Sequence, residues 1–442
     1  MILTKMFSSL VPSSAHCLCS MVALAGVTTL SATITASAQD GAVHPRVAAD
    51  VAAVNNAYLI GPDAASKLGC RVTWQTIVPL ATEHGLTLVS STPHAVLALN
   101  SRNELSLIRT ETGDRAWTTS GAEAVDRVIA IEPVEVHSSQ GHTDLRILLL
   151  SDTTAYGING DTGATFMRTR FRRVPSTAPS IYGGSLIFGT RSGEVVWLNA
   201  TNGGDYRAYT VDGPRGHSPI AAAPALADNI IVVGSTQGTV VAIEAASGRS
   251  LWKRTLLAGV RATPAIGKDL VFVASEDQYL YAFDRGNGAT AWKYFTQAPL
   301  TTSPFIAGDI VVQDIPGEGF VAFNQNPDGN PGGEVLWKKT GLHGQPIGTL
   351  AERDTDALVF WCPLTHQATV VDMKKGDVLR TIALPLVQHL VADSIESDGF
   401  LAWNQDGRIE RLSPKTKAVV PTAEPLAPAT TTAAAPAANS NG

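Results

Sequence analysis

The chain repeats a short pattern every 40 to 50 residues. Each copy joins an apolar strand to a glycine turn and a closing aromatic residue. Two clear copies run from Ala242 to Trp252 and from Ala282 to Trp292. A unit of this length holds about four short strands, and four-stranded units repeated around an axis form a β-propeller. The repeat therefore predicts an all-β chain folded as a single β-propeller.

The turn glycines align at seven positions, which suggests at least seven units. These glycines are Gly113, Gly163, Gly203, Gly248, Gly288, Gly333 and Gly376. Most copies end in an aromatic residue, at Trp117, Phe166, Tyr206, Trp252, Trp292 or Trp337. The seventh copy ends at Leu379 and Arg380 and is the weakest of the set.

A proline precedes each predicted hairpin in the middle of the chain. Paired runs of β-branched and aromatic residues, such as 229–234 and 239–243, are typical of hairpin strands. A proline at the start of a blade's first strand costs no ladder hydrogen bond, so we expect the prolines to begin the inner strands. They are Pro179, Pro224, Pro264, Pro304 and Pro346. A β-sandwich is the alternative, but it would not repeat its sequence so closely.

The two ends of the repeat region each hold part of a unit. The last unit, from Gly399 to Leu412, lacks an outer strand of its own. The run Arg71–Ile77 carries Trp74 with no complete blade before it. Pairing the two would close the ring and remove its exposed edges. The prediction is therefore about eight four-stranded blades closed by an N-terminal strand, with seven blades as the alternative if the weak second unit (145–166) merges with a neighbour.

These repeats resemble the pyrroloquinoline-quinone-like (PQQ-like) repeat, whose pattern runs roughly Ala-x-Asp-x-x-Thr-Gly-x-x-x-Trp. The resemblance covers residues from about 71 to 413, and the layout is most similar to that of the family's eight-bladed outer-membrane assembly factors. It implies a noncatalytic scaffold of the cell envelope that docks protein partners through loops on one propeller face. The alternative is a quinone-dependent oxidoreductase, or a binder of a small ligand or polysaccharide, that uses the central channel.

The ends of the chain predict export. Residues 1–38 read as a signal peptide, with Lys5 as the only charge and the small-x-small site Ala36-Ser37-Ala38. A retained membrane anchor is the alternative. Lipoprotein relatives carry a Cys after Leu-Ala-Gly, whereas Gly26 is followed here by Val27. We expect a monomer in the periplasm or cell envelope that has no lipid anchor and no transmembrane span.

Two further segments flank the predicted propeller of residues 71–420. The N-terminal extension, residues 39–70, contains a predicted short helix over Asp63–Leu68 with Asp63 as the N-cap. The tail, residues 421–442, is rich in Ala, Pro and Thr and cannot bury a core, so we expect it to be disordered.

Charge and cysteine content limit the possible functions. The sequence has 33 basic and 39 acidic side chains, and loss of Lys5 with the signal leaves 32 against 39, or −7. This balance argues against nonspecific nucleic-acid binding, which needs a basic surface. Only Cys70 and Cys362 lie outside the signal. We expect two buried free thiols, with a disulfide as the alternative.

No catalytic, cofactor-binding or metal-binding residue is assigned. Catalytic members of the family that these repeats resemble need a Ca²⁺ site, an Asp base and often adjacent cysteines. No such set of residues stands out in this sequence. The loops that join an outer strand to the next inner strand carry several cations instead. These are Arg172, Arg173, Arg215, His217, Arg261 and His343. If they point toward the axis, they form a positive mouth that docks an acidic segment of a partner; the alternative is that they are simply solvated.

Overall fold

A computed structural model describes residues 55–137, 143–213, 218–327, 329–352, 356–393 and 399–415. The predicted signal peptide, residues 39–54 of the N-terminal extension and the predicted C-terminal tail lie outside these residues. The described chain forms eight sheets of four antiparallel strands each, arranged as a β-propeller. A short helix, α1 (Pro62–Leu68), is followed directly by the first strand, β1 (Cys70–Ile77).

The first four blades follow one another along the chain. Blade 1 contains β2 (Leu86–Ser91), β3 (Ala95–Asn100), β4 (Glu104–Arg109) and β5 (Arg115–Ser120). Blade 2 contains β6 (Val128–His137), β7 (Thr143–Ser151), β8 (Thr154–Asn159) and β9 (Thr165–Arg170). Blade 3 contains β10 (Ser180–Tyr182), β11 (Ser185–Gly189), β12 (Glu194–Asn199) and β13 (Asp205–Thr210). Blade 4 contains β14 (Ala225–Ala227), β15 (Ile230–Gly234), β16 (Thr239–Glu244) and β17 (Ser250–Thr255).

The remaining blades complete the ring. Blade 5 contains β18 (Ala265–Ile266), β19 (Leu270–Ala274), β20 (Tyr279–Asp284) and β21 (Thr290–Phe295). Blade 6 contains β22 (Phe305–Ala307), β23 (Ile310–Ile315), β24 (Gly319–Asn324) and β25 (Glu334–Lys339). Blade 7 contains β26 (Gln345–Ala351), β27 (Asp356–Cys362), β28 (Gln367–Asp372) and β29 (Val378–Ala383). Blade 8 contains β30 (His389–Ala392), β31 (Phe400–Trp403) and β32 (Arg408–Pro414), and its fourth strand is β1.

The closing strand comes from the N-terminal end of the repeat region, as the sequence predicts. β1 pairs antiparallel with β32, from Cys70 opposite Pro414 to Ile77 opposite Arg408. The count of eight blades is confirmed, and the seven-blade alternative is wrong. Blade 2, whose sequence repeat is weak, is a complete sheet and includes the ten-residue strand β6.

The prolines lie where the inner strands begin. Pro179, Pro224, Pro264 and Pro304 each stand directly before the first strand of a blade, and Pro346 is the second residue of β26. The first strands of neighbouring blades contact one another, for example β14 with β18 and β18 with β22. These strands therefore line the axis, where a missing proline N–H disturbs the sheet least.

Buried apolar residues form eight clusters, and each cluster lies between two neighbouring blades. Between blades 5 and 6, for example, the Trp292 ring lies 5.7 Å from the rings of Phe272 and Phe323. The core is thus a series of seams rather than one central mass. Each blade is stabilised mainly by its two neighbours.

Five tryptophans on outer strands join one blade to the next. Each indole N–H donates to a backbone carbonyl of the following blade at 2.6 to 2.9 Å, and each ring covers that blade's turn glycine. We call this contact the Trp–Gly latch; its tryptophans are Trp74, Trp117, Trp252, Trp292 and Trp337. A Cβ on Gly288 would lie 2.6 Å from Trp252, so only glycine fits there.

Two repeats use a different residue at the latch position from the one that the sequence alignment indicated. Phe166 and Tyr206 are 42% and 53% exposed and do not cover a glycine of the next blade. The residues that meet Gly203 and Gly248 are Met167 and Arg207. Successive side chains on a strand point to opposite faces, so a one-residue shift places the aromatic ring in solvent.

Two exceptions close the remaining seams. Trp197 on β12 donates to the Ala245 carbonyl at 2.9 Å and supplies the indole contact that the outer strand of blade 3 lacks. Blade 7 has Arg380 at its latch position, and this side chain is paired with Glu352. The seam between blades 7 and 8 is instead filled by α1 and the residues before it.

The helix α1 begins one residue earlier than predicted. Its N-cap is Gly61, with no side-chain cap, and Pro62 follows with a φ angle suited to a first helical residue. Asp63 is therefore not the N-cap; it lies in the first turn and accepts a hydrogen bond of 2.8 Å from Asn55. The helix ends at Gly69, which has the left-handed conformation typical of a C-cap.

Cys70 and Cys362, the two cysteines among the described residues, are buried thiols that are not bonded to each other. Cys70 begins β1 at the blade 7–8 seam, whereas Cys362 ends β27. The free-thiol expectation agrees with this placement.

The latch makes a direct prediction about stability. Trp337→Ala should lower the free energy of unfolding by about 3 to 5 kcal/mol, because it removes a buried indole and leaves a cavity against Gly376. Leu336→Ala, on the exposed face of the same strand, should change it by less than about 1 kcal/mol. Denaturant unfolding followed by tryptophan fluorescence checks both variants, and equal losses would contradict the latch.

Candidate protein-docking surface

The loops between blades lie on one face of the propeller, which we call the loop face. Strands of an antiparallel sheet alternate in direction, so these loops share an end with the turn between the second and third strands of each blade. Backbone hydrogen bonds connect each of three of these loops to such a turn. Gly121 donates to the Asn103 carbonyl, Leu256 to that of Gly238, and Leu384 to that of His366, each at 2.8 Å.

Two of the predicted cations are held in ion pairs. Arg173 contacts Glu194 at 3.0 Å and Asp205 at 2.5 Å. Asp205 lies on the outer strand of blade 3. Arg261 contacts Glu276 at 2.8 Å, in the turn of the next blade. The charges of these two arginines are therefore balanced by carboxylates of the same chain.

The other two described cations remain accessible. Arg172 is exposed beside Arg173. His343 is exposed at the rim of a cleft of about 170 Å³, which Cys362 and Thr365 also line. Arg215 and His217 lie outside the residues that the structure describes. The positive mouth predicted from the sequence thus reduces, among described residues, to two unpaired cations on different blades.

The structure adds three exposed aliphatic residues that were missed in the sequence analysis. Val125, Leu257 and Leu364 are 89%, 92% and 92% exposed, and all three lie in turns or loops of the loop face. We call them the apolar tips. In the sequence, each of these residues stands between two predicted strands, where the alternation of apolar and polar residues along a strand gives no indication of exposure.

The Val125 tip is carried by a braced loop. The Asn103 amide donates to the carbonyls of Glu123 and Asp126 at 2.6 and 2.8 Å. The Tyr156 hydroxyl also bonds the Asp126 carboxylate. Burial, followed by this hydrogen bond, raises the pKa of Tyr156, which keeps its proton on the phenol. The loop is therefore held from both flanks while Val125 itself is open to solvent.

The Leu257 tip has a similar brace in blade 5. Its backbone N–H donates to the Asp277 carboxylate at 3.2 Å, and the Tyr281 hydroxyl donates to the same oxygen at 2.9 Å. Burial and then the bond to Asp277 raise the pKa of Tyr281, so the phenol stays a donor. One carboxylate thus orders the loop that presents Leu257.

The Leu364 tip lies in the turn that joins β27 to β28. Two residues on, the His366 Nδ1 lies 2.6 Å from the Val387 carbonyl in the neighbouring loop. Because a carbonyl only accepts, the proton must be on Nδ1. A loop that is already ordered loses less conformational entropy on binding, so braced loops that carry apolar tips suit protein recognition.

Comparison with known proteins identifies the family. The family described as outer membrane protein assembly factor BamB matches residues 27–294, more than half of the chain. The chain belongs to this family. Comparison with the curated proteins gives no match.

Solved structures share the fold. The crystal structure of BamB from Moraxella catarrhalis is 19% identical in sequence; the match covers 77% of this chain and 98% of that chain, with a TM-score of 0.55. The computationally designed Ika8 protein is 16% identical, with 76% and 99% covered and a TM-score of 0.55. At these identities the two structures show the propeller fold alone.

Among the helices that the structure describes, none has the length and hydropathy of a membrane span. Within the described residues as a whole, no group of His, Cys, Asp and Glu side chains is arranged to hold a metal ion.

The ion pairs predict that adjacent arginines differ in effect. Arg173→Ala should destabilise the protein by about 1 to 3 kcal/mol, because the largely buried Asp205 loses its charged partner. Arg172→Ala should change stability by less than about 0.5 kcal/mol. Denaturant midpoints of the two variants test this, and a larger loss in Arg172→Ala would contradict the assignment.

Proposed function

We propose that this protein is a noncatalytic scaffold of the cell envelope that docks protein partners through its loop face. Its export, a location in the periplasm without a lipid anchor, and a role in outer-membrane protein assembly are parts of the same proposal. Family membership supports the class of function, because the family is described as an outer membrane protein assembly factor. The docking surface is supported by the geometry of this chain.

The observation that carries the proposal is the set of three braced apolar tips. A simply solvated loop has no need of such supports, yet a buried tyrosine and a second polar side chain order each of two tip loops. These are Tyr156 with Asn103 at the Val125 loop, and Tyr281 with Asp277 at the Leu257 loop. Exposed apolar side chains enclosed by polar groups match the general layout of a protein interface, an apolar centre with a polar rim.

The charges beside the tips indicate the chemistry of the partner. Arg172 and His343 are accessible on the same face and can pair with carboxylates. A partner segment with aliphatic side chains and acidic flanks fits both features, and an exposed sheet edge in the partner would add backbone bonds. We therefore place an envelope protein with an acidic or β-rich segment on the loop face.

Site-specific crosslinking in cells tests the docking face. A photoreactive side chain at Val125, Leu257 or Leu364 should join the protein to the same envelope partner. The same group at Asn287, an exposed turn residue at the opposite ends of the strands, should not. Crosslinks obtained only from Asn287 would reject the loop face.

The identified partner then allows a binding measurement with purified proteins. Replacing all three tips by Ser should weaken binding by roughly tenfold or more, because each anchor contributes about 1 kcal/mol. The matched control is Leu336→Ser with Leu379→Ser, which removes exposed aliphatic side chains from outer strands. Equal affinity of the triple variant and the wild type would contradict the proposal.

A further inference from the structure

A buried carboxylate holds the segment that precedes the closing strand. Glu410, on β32, is fully buried, and its Oε2 accepts the backbone N–H groups of Leu59 and Ile60, each at 3.0 Å. Its second oxygen, Oε1, is also buried and has no hydrogen-bond partner among the described residues. Only one of the two carboxyl oxygens of Glu410 therefore has hydrogen-bond partners.

The held segment fills the seam between blades 7 and 8, one of the three seams that lack a Trp–Gly latch. Residues 55–69, which we call the clasp, contribute the buried side chains of Leu59, Ile60, Ala65 and Leu68 to the cluster between blades 7 and 8. On the side of the closing strand, Gln75 accepts the Leu59 N–H at 2.6 Å. The clasp therefore covers Glu410 and removes it from water.

Among the residues that the structure describes, no cation is paired with Glu410. On its own strand, Arg408 lies 3.8 Å from Asp406 and Arg411 is paired with Asp393 at 2.6 Å, and on the neighbouring β1 Arg71 is exposed. Opposite Glu410 in the sheet stand Gln75 on β1 and Ala402 on β31, and neither ionises.

The remaining charged groups of the elements around Glu410 are engaged elsewhere or exposed. In blade 7, Arg380 is paired with Glu352. In the clasp, Asp63 bonds Asn55, Lys67 is exposed and Tyr58 is half-buried.

We propose that the clasp is a proton-controlled closure of the ring: it is seated on the blade 7–8 seam while Glu410 holds a proton, and it is released when this carboxyl group ionises. Ionisation leaves a negative charge in an apolar seam with only two backbone donors. Release of the clasp returns that charge to water and uncovers the apolar seam between blades 7 and 8.

The direction of the pH effect follows from the protonation equilibrium. Burial raises the pKa of Glu410 to about 7, from an ordinary value of 4.5, although the two backbone bonds act in the opposite direction. The seated clasp therefore binds a proton more tightly than the released one. Its stability is fully present below the ordinary pKa and is lost as the pH rises through about 7.

Amide hydrogen exchange on the full-length protein measures this opening. The exchange rates are first corrected for intrinsic exchange. The opening constant of residues 55–69 should then rise with pH by at most ~10-fold per pH unit between about pH 5 and about pH 6.5, and it should level off above about pH 7. In Glu410→Gln, which keeps an acceptor and carries no charge, the opening constant should not change with pH.

Glu132→Gln is the matched control. Glu132 lies on β6 in blade 2, and burial raises the pKa of its carboxyl group to about 7 as well. This variant should keep the wild-type pH profile of residues 55–69. A flat profile in the wild type, or an unchanged slope in Glu410→Gln, would overturn the proposal.

The wild type also carries an internal reference, in case Glu410→Gln folds poorly. Amides of β17, whose Trp252 makes a Trp–Gly latch, should show no comparable rise in the same samples. If residues 55–69 and β17 open in parallel as the pH rises, the effect is global and the clasp has no proton control of its own.

Discussion

The contact between an outer-strand side chain and the turn of the next blade is the interaction on which this ring depends. Where a Trp–Gly latch is present, one indole supplies apolar area, a hydrogen bond and a shape that only glycine accommodates. The contact is local to each seam, so every blade needs both neighbours. The ring therefore depends on blade 8, where the two ends of the repeat region pair. Trp74 joins this blade to blade 1, and the clasp fills its seam with blade 7.

Much of this architecture could be predicted from the sequence because the same pattern occurs in most of the blades. The spacing of the turn glycines predicted the number of blades, and Trp74, which stands before the first complete unit, indicated the closing strand. The latch residues of blades 2 and 3 could not be predicted by residue type alone. Phe166 and Tyr206 match the aromatic pattern, but strand alternation directs Met167 and Arg207 to the seam.

The candidate docking surface could be predicted less fully from the sequence, because its properties arise from contacts between distant residues. Nothing local distinguishes Arg173 from Arg172, yet only Arg173 meets Glu194 and Asp205. The exposure of Leu257 likewise depends on a carboxylate 20 residues away. Composition indicated that the loops carry cations, whereas the fold decides which of them are free and which aliphatic side chains are presented.

Complementation of a truncated ring tests the central claim most directly. A chain that starts at residue 78 lacks β1 and the clasp, and its denaturant midpoint should fall well below that of the full-length protein. A peptide of residues 55–77 should restore the midpoint, and the same peptide with Trp74→Ala should restore it only in part. A truncated chain that unfolds at the full-length midpoint, without the peptide, would contradict closure by the N-terminal strand.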